Sequence, residues 1–431
     1  MSLFSTDALA ERRDRAASAI EGAADLVLVT AGEPLQIPGG LDQQYRFVPH
    51  PEYYWLSGSR RSGGAMAWTP DDGWTPFVRP VTAEERLWEG DPEAPEGRDV
   101  AELEDWLKAC GASPERTALL GAGATGTVQV EGTAACRDGA RQRLDVVRRH
   151  KDAEEIGLLR RAARATAAGH ARAREVIAPG VDERSIQIEL EAETFRHGAD
   201  AMGYESIVGV GANSAVLHFA PGRRRAEEGE LVLIDAGGAV AGYTSDVTRT
   251  YPVGRTFTER QQAIFDLVSR SLRECSDLCR PGIEWHDVHR RAAEILASGL
   301  VELGILRGSV DGLLESEAIA LFFPHGIGHM VGLGVRDVGG HAPDREPGRK
   351  CCGARVRVDL PLEAGFVMTV EPGLYFVPAI LDDPERRQRF ADAVDWTALE
   401  PWRDVGGVRL EDNLVVTEAE PEILTASIPL S

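Results

Sequence analysis

The sequence predicts an α/β N-terminal domain over residues 1–149, followed by a duplicated α+β domain over residues 150–431. A length of 431 residues exceeds one ordinary domain and indicates two units. Helix-like and strand-like segments alternate through the first 120 residues, which is typical of a small α/β domain. In the remainder, the order helix, Pro-Gly, acidic residue, helix occurs twice, at Pro179-Gly180 and at Pro281-Gly282.

The elements of the first domain follow from local patterns. A charged amphipathic helix is predicted over residues 6–21, and an apolar strand follows at 26–29. Residues 42–58 are rich in aromatic side chains, which favours a strand or a packed loop. The Gly/Ala/Thr-rich segment 121–133 has the composition of a connection between domains.

Two helix pairs are predicted in the second domain. The first helix begins near Asp152 and ends at Pro179-Gly180, and a second helix follows Asp182. Thr258 and Gln261 have the spacing of a capping box, so another helix is predicted to begin there. The repetition predicts two similar halves related by a pseudo-two-fold axis.

Composition limits the functional classes. The 69 acidic residues outnumber the 47 basic ones, and a net charge of -22 argues against nucleic acid or anionic membranes as partners. No apolar segment is long enough for a spanning helix, and the N-terminus lacks the pattern of a secretory signal. Six scattered cysteines do not form a disulfide framework, so a cytoplasmic location is expected.

Several acidic residues interrupt or end apolar strands. Asp235 ends one such run, Glu371 ends another, and Glu411 lies within a third. A Gly-Gly turn between Asp235 and Asp246 would fold the second acid back beside the first. One such residue could pair with an arginine or face solvent, but four converging carboxylates would repel one another without cations. Divalent metal ions would resolve this repulsion.

The histidines offer a further ligand type. His325 and His329 lie four residues apart in a glycine-containing segment, which predicts a loop and not the helix of an HExxH zinc peptidase. One imidazole with four carboxylates suits Mn²⁺, with Co²⁺ and Zn²⁺ as alternatives, in a site for two ions bridged by a hydroxide nucleophile. Structural roles are expected for the histidines at positions 50, 150, 170, 197, 286 and 289.

In this order, the residues resemble the pita-bread metallopeptidases, and within them the prolidase and aminopeptidase P branch. The motifs are IDAGGAVAGYTSDVTRTYP, HGIGHMVGLG, TVEPGLYF and GGVRLEDNLVV. The resemblance implies a duplicated pita-bread catalytic domain, short proline-containing peptides as substrates and a homodimer. It also implies five metal ligands, namely Asp235, Asp246, His329, Glu371 and Glu411.

The resemblance assigns further roles. Asp246 and Glu411 would bridge the metal ions, and Glu371 would also accept the proton of the bridging water. His218 and His325 look like the family's histidines that reach the substrate. Arg409, two residues before Glu411, would steady the acidic ligands from the same face of the strand.

Segments 304–311 and 382–389 look more like prolidases, so hydrolysis of Xaa-Pro dipeptides is predicted, with aminopeptidase P activity on longer peptides as the alternative. A dipeptidase needs a cation or the second subunit to hold the free C-terminal carboxylate, and Arg355 and Arg357 are candidates for the cation. Arg336 stands where the family usually has a histidine, and it is predicted to contact substrate, with His341 as a possible compensating residue. A metal-free relative that acts as a binding protein is a third alternative.

Overall fold

The computed structural model describes residues 3–90, 92, 94–122, 130–254 and 256–431. The chain divides into two compact units, Met1–Arg148 and Arg149–Ser431. In the described part of the chain, no helix combines the length and the apolar character needed to cross a membrane.

The first unit contains a mixed five-stranded sheet with helices, as predicted. The strand order is β4-β3-β2-β1-β5, with β1 antiparallel to β2 and parallel to β5. The predicted helix at 6–21 and the predicted strand at 26–29 are confirmed. In chain order, its elements are α1 Thr6–Ile20, β1 Leu26–Thr30, α2 Pro51–Ser57, β2 Ala65–Thr69, β3 Gly73–Val78, α3 Ala83–Glu89, β4 Arg98–Asp99, α4 Leu103–Cys110, β5 Thr117–Gly121 and α5 Ala134–Arg149.

The prediction of a strand or packed loop was wrong for part of the aromatic segment, because residues Pro51–Ser57 form helix α2. Pro51 suits the first helical position, where its missing N–H has no partner to lose. The Nδ1 atom of His50 accepts the N–H of Glu52, and Gly58 ends the helix at a φ of 68°. These end signals outweigh the strand preference of the buried aromatic side chains. Residues 123–129 of the predicted connection lie outside the described residues, and α5 follows it within the first unit.

The second unit contains the repeated arrangement that the sequence predicted. Helices α6 and α7 precede the sheet β7-β8-β11, and helices α8 and α9 precede the sheet β16-β19-β20. Its elements are α6 Ala153–Val176, α7 Glu183–Arg196, β6 Ala201–Met202, β7 Ile207–Val210, β8 Leu231–Asp235, β9 Gly238–Val240, β10 Tyr243–Thr244, β11 Thr248–Pro252, α8 Glu259–Leu278, α9 Trp285–Glu302, α10 Val310–Glu315, β12 Gly340–His341, β13 Lys350–Cys351, β14 Ala354–Arg355, β15 Val358–Asp359, β16 Val367–Val370, β17 Gly373–Tyr375, α11 Pro378–Leu381, α12 Pro384–Arg389, α13 Trp396–Leu399, β18 Gly407–Arg409, β19 Asp412–Val415 and β20 Glu422–Ile423.

The first helix of each pair starts at a capping box. The predicted box of Thr258 and Gln261 opens α8, and a second box of Asp152 and Glu155 opens α6. A large apolar core lies beneath α8 and α9, with Trp285 fully buried in it. The two halves join where Thr248 bridges Glu411 in antiparallel pairing. This junction brings the strand ends of both halves together.

The hairpin that returns the chain to Asp235 turns at a different place from the predicted one. Its turn is Ala241-Gly242, with φ angles of 55° and 86°, the backbone that a two-residue hairpin favours. The expected Gly-Gly turn was therefore wrong. At Gly237 a Cβ atom would lie 1.7 Å from the carbonyl oxygen of Ser245, so this glycine permits a close approach instead.

Candidate metal centre

Asp235 lies at the end of β8, directly opposite Thr248 of β11. Its side chain is buried, and each oxygen has one donor. The Nη2 atom of Arg409 donates to Oδ2 over 2.6 Å, and the hydroxyl of Tyr204 donates to Oδ1 over 2.7 Å. These contacts fix the carboxylate and add one positive charge beside it.

Asp246 follows the hairpin and is held through its backbone. Its N–H donates to Oδ1 of Asn413 over 2.8 Å, and its carbonyl accepts from Nδ2 of the same amide over 2.6 Å. Because the two contacts use the main chain, the Asp246 carboxylate is left to face His329, whose Nε2 lies 3.4 Å away.

His329 lies in a loop between α10 and β12, as the glycines around it predicted. Its Nδ1 donates to the carbonyl of Met330 over 3.0 Å, so Nε2 keeps its lone pair for a metal ion. The backbone N–H of His329 donates to Oγ1 of Thr369 over 3.0 Å. A Cβ atom at Gly328 would lie 2.1 Å from the Thr369 carbonyl oxygen, so only glycine lets this loop approach the strand.

Glu411 and Glu371 come from the second half of the domain. Oε2 of Glu411 accepts from the Thr248 hydroxyl over 2.8 Å, and that hydroxyl oxygen accepts from Nε of Arg409 over 3.1 Å. Oε1 of Glu371 lies 3.9 Å from Nε2 of His329. Glu371 thus reaches the cluster beside His329.

The five predicted metal ligands therefore lie together at one cavity of about 900 Å³. Ligand atoms of Asp246, His329 and Glu411 all lie within 4.8 Å of one another, and all three side chains are buried. Among the described residues, Arg409 is the guanidinium that forms an ion pair with one of these carboxylates, that of Asp235. One guanidinium cannot neutralise four carboxylates, three of them buried, so the donor set fits divalent cations.

Burial and mutual repulsion change the pKa values of these carboxyl groups. Burial raises the pKa of Glu411 well above its ordinary value, and the neighbouring carboxylates raise it further. Burial likewise raises the pKa of Asp235 against the opposing charge of Arg409. It raises the pKa of Glu371 to about 7. Negative charge is thus costly here without cations.

Arg409 connects this cluster to His325 through a tyrosine. Its Nη1 donates to the hydroxyl oxygen of Tyr375 over 3.0 Å. Nδ1 of His325 donates to the carbonyl of Gly326 over 2.9 Å, so its Nε2 accepts the Tyr375 hydroxyl proton over 2.8 Å. Burial, aided by the charge of Arg409, lowers the pKa of His325 to about 3. His325 is therefore a neutral acceptor for Tyr375 at neutral pH.

The remaining predicted substrate residues lie at the mouth of the same cavity. His218, Arg336 and Arg357 line it and are exposed. Partial burial lowers the pKa of His218, and the charge of Arg336 lowers it further. His341 does not belong to the described lining residues, and its Nδ1 contacts the carbonyl of Ala342 over 2.9 Å. The suggestion that His341 compensates for Arg336 therefore gains no support from the cavity lining and stays a prediction.

Sequence reasoning missed the polar residues that support the ligands. Thr248 follows Asp246 by two positions, the spacing of one strand face, and Tyr375 lies within the quoted motif TVEPGLYF. Either could have been proposed from its position. Tyr204 and Asn413 gave no comparable signal, because their contacts depend on residues 31 and 167 positions away.

Two family models match the chain. Residues 157–418 match metallopeptidase family M24, and residues 9–102 match the aminopeptidase P N-terminal domain. A Xaa-Pro aminopeptidase of Escherichia coli is 41% identical over 282 residues, which are 65% of this chain and 57% of that protein's length. A probable Xaa-Pro aminopeptidase of Fusarium vanettenii is 33% identical over 90% of this chain and 86% of its own.

Solved structures of similar proteins cover nearly the whole chain. Aminopeptidase P from Escherichia coli with the inhibitor Pro-Leu has 30% identity and a TM-score of 0.77 over 99% of this chain and 96% of its own. The aminopeptidase PepP of Pseudomonas aeruginosa has 28% identity and a TM-score of 0.79, and the match covers 100% of this chain and 97% of that protein. The predicted fold and family are confirmed. For the activity, these relatives favour the alternative of an aminopeptidase over the predicted dipeptidase.

Proposed function

The chain belongs to metallopeptidase family M24, and on that premise we propose that it is a Xaa-Pro aminopeptidase. It would remove the N-terminal residue that precedes proline from tripeptides and longer peptides. The observation that carries this proposal is the gathering of Asp246, His329 and Glu411, with Asp235 and Glu371, at one cavity. The relatives named above support the choice of substrate.

Asp235, Asp246, His329, Glu371 and Glu411 would hold two divalent ions, with Mn²⁺ as the proposed metal. When bound, such ions lower the pKa of water and polarise a substrate carbonyl. Asp246 and Glu411, the acids most surrounded by other ligands, are proposed to bridge the two positions. Glu371, which lines the cavity beside His329, is proposed to accept the proton of the attacking water.

Other side chains of the cavity would bind and orient the peptide. Tyr375, whose hydroxyl lies between Arg409 and His325, would be held in one orientation and could support the reacting carbonyl. His218 at the mouth is proposed to contact the peptide backbone. Arg409 would keep Asp235 charged and in place, which makes it a positioning residue.

Arg336 and Arg357 are proposed to bind the far end of a short peptide. Burial lowers the pKa of Arg357, and the charge of Arg336, which lines the same cavity, lowers it further by repulsion. A carboxylate between them would relieve this repulsion through charge-assisted hydrogen bonds. The Arg357→Gln change should then raise KM for Ala-Pro-Ala about tenfold and leave KM for Ala-Pro-Ala amide nearly unchanged.

Comparing kcat/KM on Ala-Pro-Ala, Ala-Pro and Ala-Ala-Ala with the Mn²⁺-loaded protein tests the proposed function. We expect Ala-Pro-Ala to be hydrolysed fastest and Ala-Ala-Ala to be resistant, in keeping with the Xaa-Pro aminopeptidases among the relatives. A preference for Ala-Pro would instead support the dipeptidase. No hydrolysis of any peptide by protein with bound metal would support a binding protein. Light scattering on the same sample tests the homodimer expected from the family resemblance.

A further inference from the structure

Two adjacent cysteines outside the metal centre lie side by side. Cys351 ends β13 and Cys352 begins the turn to β14, and their Sγ atoms are 3.7 Å apart. Successive residues of a strand normally point to opposite faces. Here Cys352 has a φ of 49° and Gly353 a φ of 85°, and this turn brings both sulfurs to one side.

The backbone at Cys352 is unusual for its residue type. A two-residue hairpin turn with positive φ at both positions favours Asn, Asp or Gly at the first, where the left-handed conformation costs other residues about 1 kcal/mol. Cysteine is not one of these favoured residues, so Cys352 adopts this conformation at that cost. The turn therefore holds a thiol pair at a local cost, as strained positions at functional sites do.

The pair also differs chemically from the cysteines of the core. Burial raises the pKa of the Cys275 thiol to about 12, and both Cys275 and Cys279 are fully buried. Cys352 is partly exposed, and its pKa is lowered because the Cys351 thiol donates to its sulfur, with the charge of Arg290 as a further cause. Cys352 is therefore the more reactive thiol of the pair.

His289 of α9 connects the hairpin to the loop that carries His329. The N–H of Ile327 donates to Nδ1 of His289 over 3.1 Å, so Nε2 of His289 carries the proton and donates to the carbonyl of Cys351 over 3.1 Å. Two residues after β14, the chain reaches Arg357 at the cavity. A change at the turn would therefore act on two sides of the site.

We propose that Cys351 and Cys352 form a dithiol that a hydroperoxide converts reversibly to a disulfide between adjacent residues, which lowers peptidase activity. The Cys352 thiolate attacks the O–O bond and takes one oxygen as a sulfenic acid, while the other oxygen leaves as water or alcohol. The Cys351 thiol then attacks this sulfur, an S–S bond forms, and water leaves. Both sulfurs are oxidised, and the hydroperoxide supplies the two-electron acceptor.

The disulfide would require the turn to rearrange. Adjacent Cα atoms are about 3.8 Å apart, whereas disulfides usually join residues with Cα atoms about 4.4–6.8 Å apart. The peptide between the two cysteines must rotate, which moves the Cys351 carbonyl from His289. Such strain makes the bond easy to reduce, so dithiothreitol should restore the starting state.

The proposal is tested on the metal-loaded protein. The protein is treated with hydrogen peroxide, its free thiols are blocked with N-ethylmaleimide, and it is then digested with trypsin. Cleavage after Lys350 and Arg355 isolates residues 351–355, which contain both cysteines and no other. We expect this peptide to lose two hydrogen masses and to remain unlabelled, and kcat/KM to fall at least about threefold and recover with dithiothreitol. The mass change is read without any activity, so it stands apart from the proposed function.

Single variants provide the controls. Cys352→Ser should keep its basal activity and lose the response to peroxide, whereas Cys110→Ser, which removes a partly exposed cysteine elsewhere, should respond like the parent. Phenylarsine oxide, which needs two adjacent thiols, should bind the parent in a one-to-one ratio and not Cys352→Ser. Full labelling of residues 351–355 after oxidation of other cysteines would overturn the proposal, as would an unchanged response in Cys352→Ser.

Discussion

Glu411 and Asp412 are adjacent, both are buried, and their carboxylates have opposite environments. Asp412 accepts from Nη2 of Arg249 and from the hydroxyl of Thr425, each over 2.7 Å. Glu411 accepts from one neutral hydroxyl, and the carboxylates around it raise its pKa. Successive side chains leave a strand on opposite faces, so one acid reaches an arginine and the other reaches the acidic cluster.

This difference separates a structural acid from a metal ligand. Arg249 is fully buried and also donates to the carbonyls of Thr248, Glu411, Ile428 and Pro429, so the pair with Asp412 ties strand ends together. Glu411 has no comparable partner within the described residues. A buried carboxylate whose charged neighbour is a cation alone has a structural explanation, whereas one that faces other potential ligands indicates a metal site.

The Glu411→Gln change gives the largest expected effect. It keeps the side chain's shape and removes the charge that would hold the metal ions, so kcat/KM on Ala-Pro-Ala should fall at least about 10³-fold. The metal-free variant should be no less stable than the metal-free parent, because one repelling charge is gone. Steady-state kinetics and urea unfolding check both expectations, and retained activity with two bound ions would contradict the assignment.

The Asp412→Asn change, in contrast, should lower the stability of the fold. Removing the carboxylate leaves Arg249 buried without its counter-charge, so the free energy of unfolding should fall by about 3 kcal/mol. Asp404→Asn is the matched control, because its pair with Arg260 is exposed and should contribute less than about 1 kcal/mol. Urea unfolding of the metal-free variants measures the difference. Equal losses would show that the Arg249 pair is not structural.

Metal addition should stabilise the parent through its folded form. At a free Mn²⁺ concentration 100 times the dissociation constant, the free energy of unfolding should rise by about 2.7 kcal/mol. Calorimetry with and without a chelator measures the gain. Glu411→Gln should show a smaller gain at the same concentration, whereas an equal gain would place the bound ions elsewhere.

The pH dependence of the metal-free protein tests the environment of Glu371. The pKa of Glu371 is raised from an ordinary 4.5 to about 7, so the folded protein holds this proton where the unfolded chain has released it. The free energy of unfolding should therefore fall as pH rises from about 4.5 to about 7, and level off above. Melting curves across this range test the slope, which Glu371→Gln should reduce.

Local sequence patterns predicted much of the fold. Capping residues marked the start of α8, and repeated Pro-Gly stops indicated the two helix pairs. The aromatic segment before Gly58 was assigned wrongly because its residues favour strands while its ends favour a helix. The hairpin turn at Ala241-Gly242 was missed because the Gly-Gly pair at 237–238, nearer to Asp235, has the stronger turn signal in the sequence.

The sequence by itself determined which residue types could bind metal, because carboxylates that interrupt apolar strands need partners wherever they lie. Only the tertiary structure decided which acids receive a guanidinium and which face one another. It also decided that His325 binds Tyr375 and that two cysteines share one side of a turn. Local patterns encode helices and strands, whereas counter-charges arrive from distant parts of the chain and are fixed only when it packs.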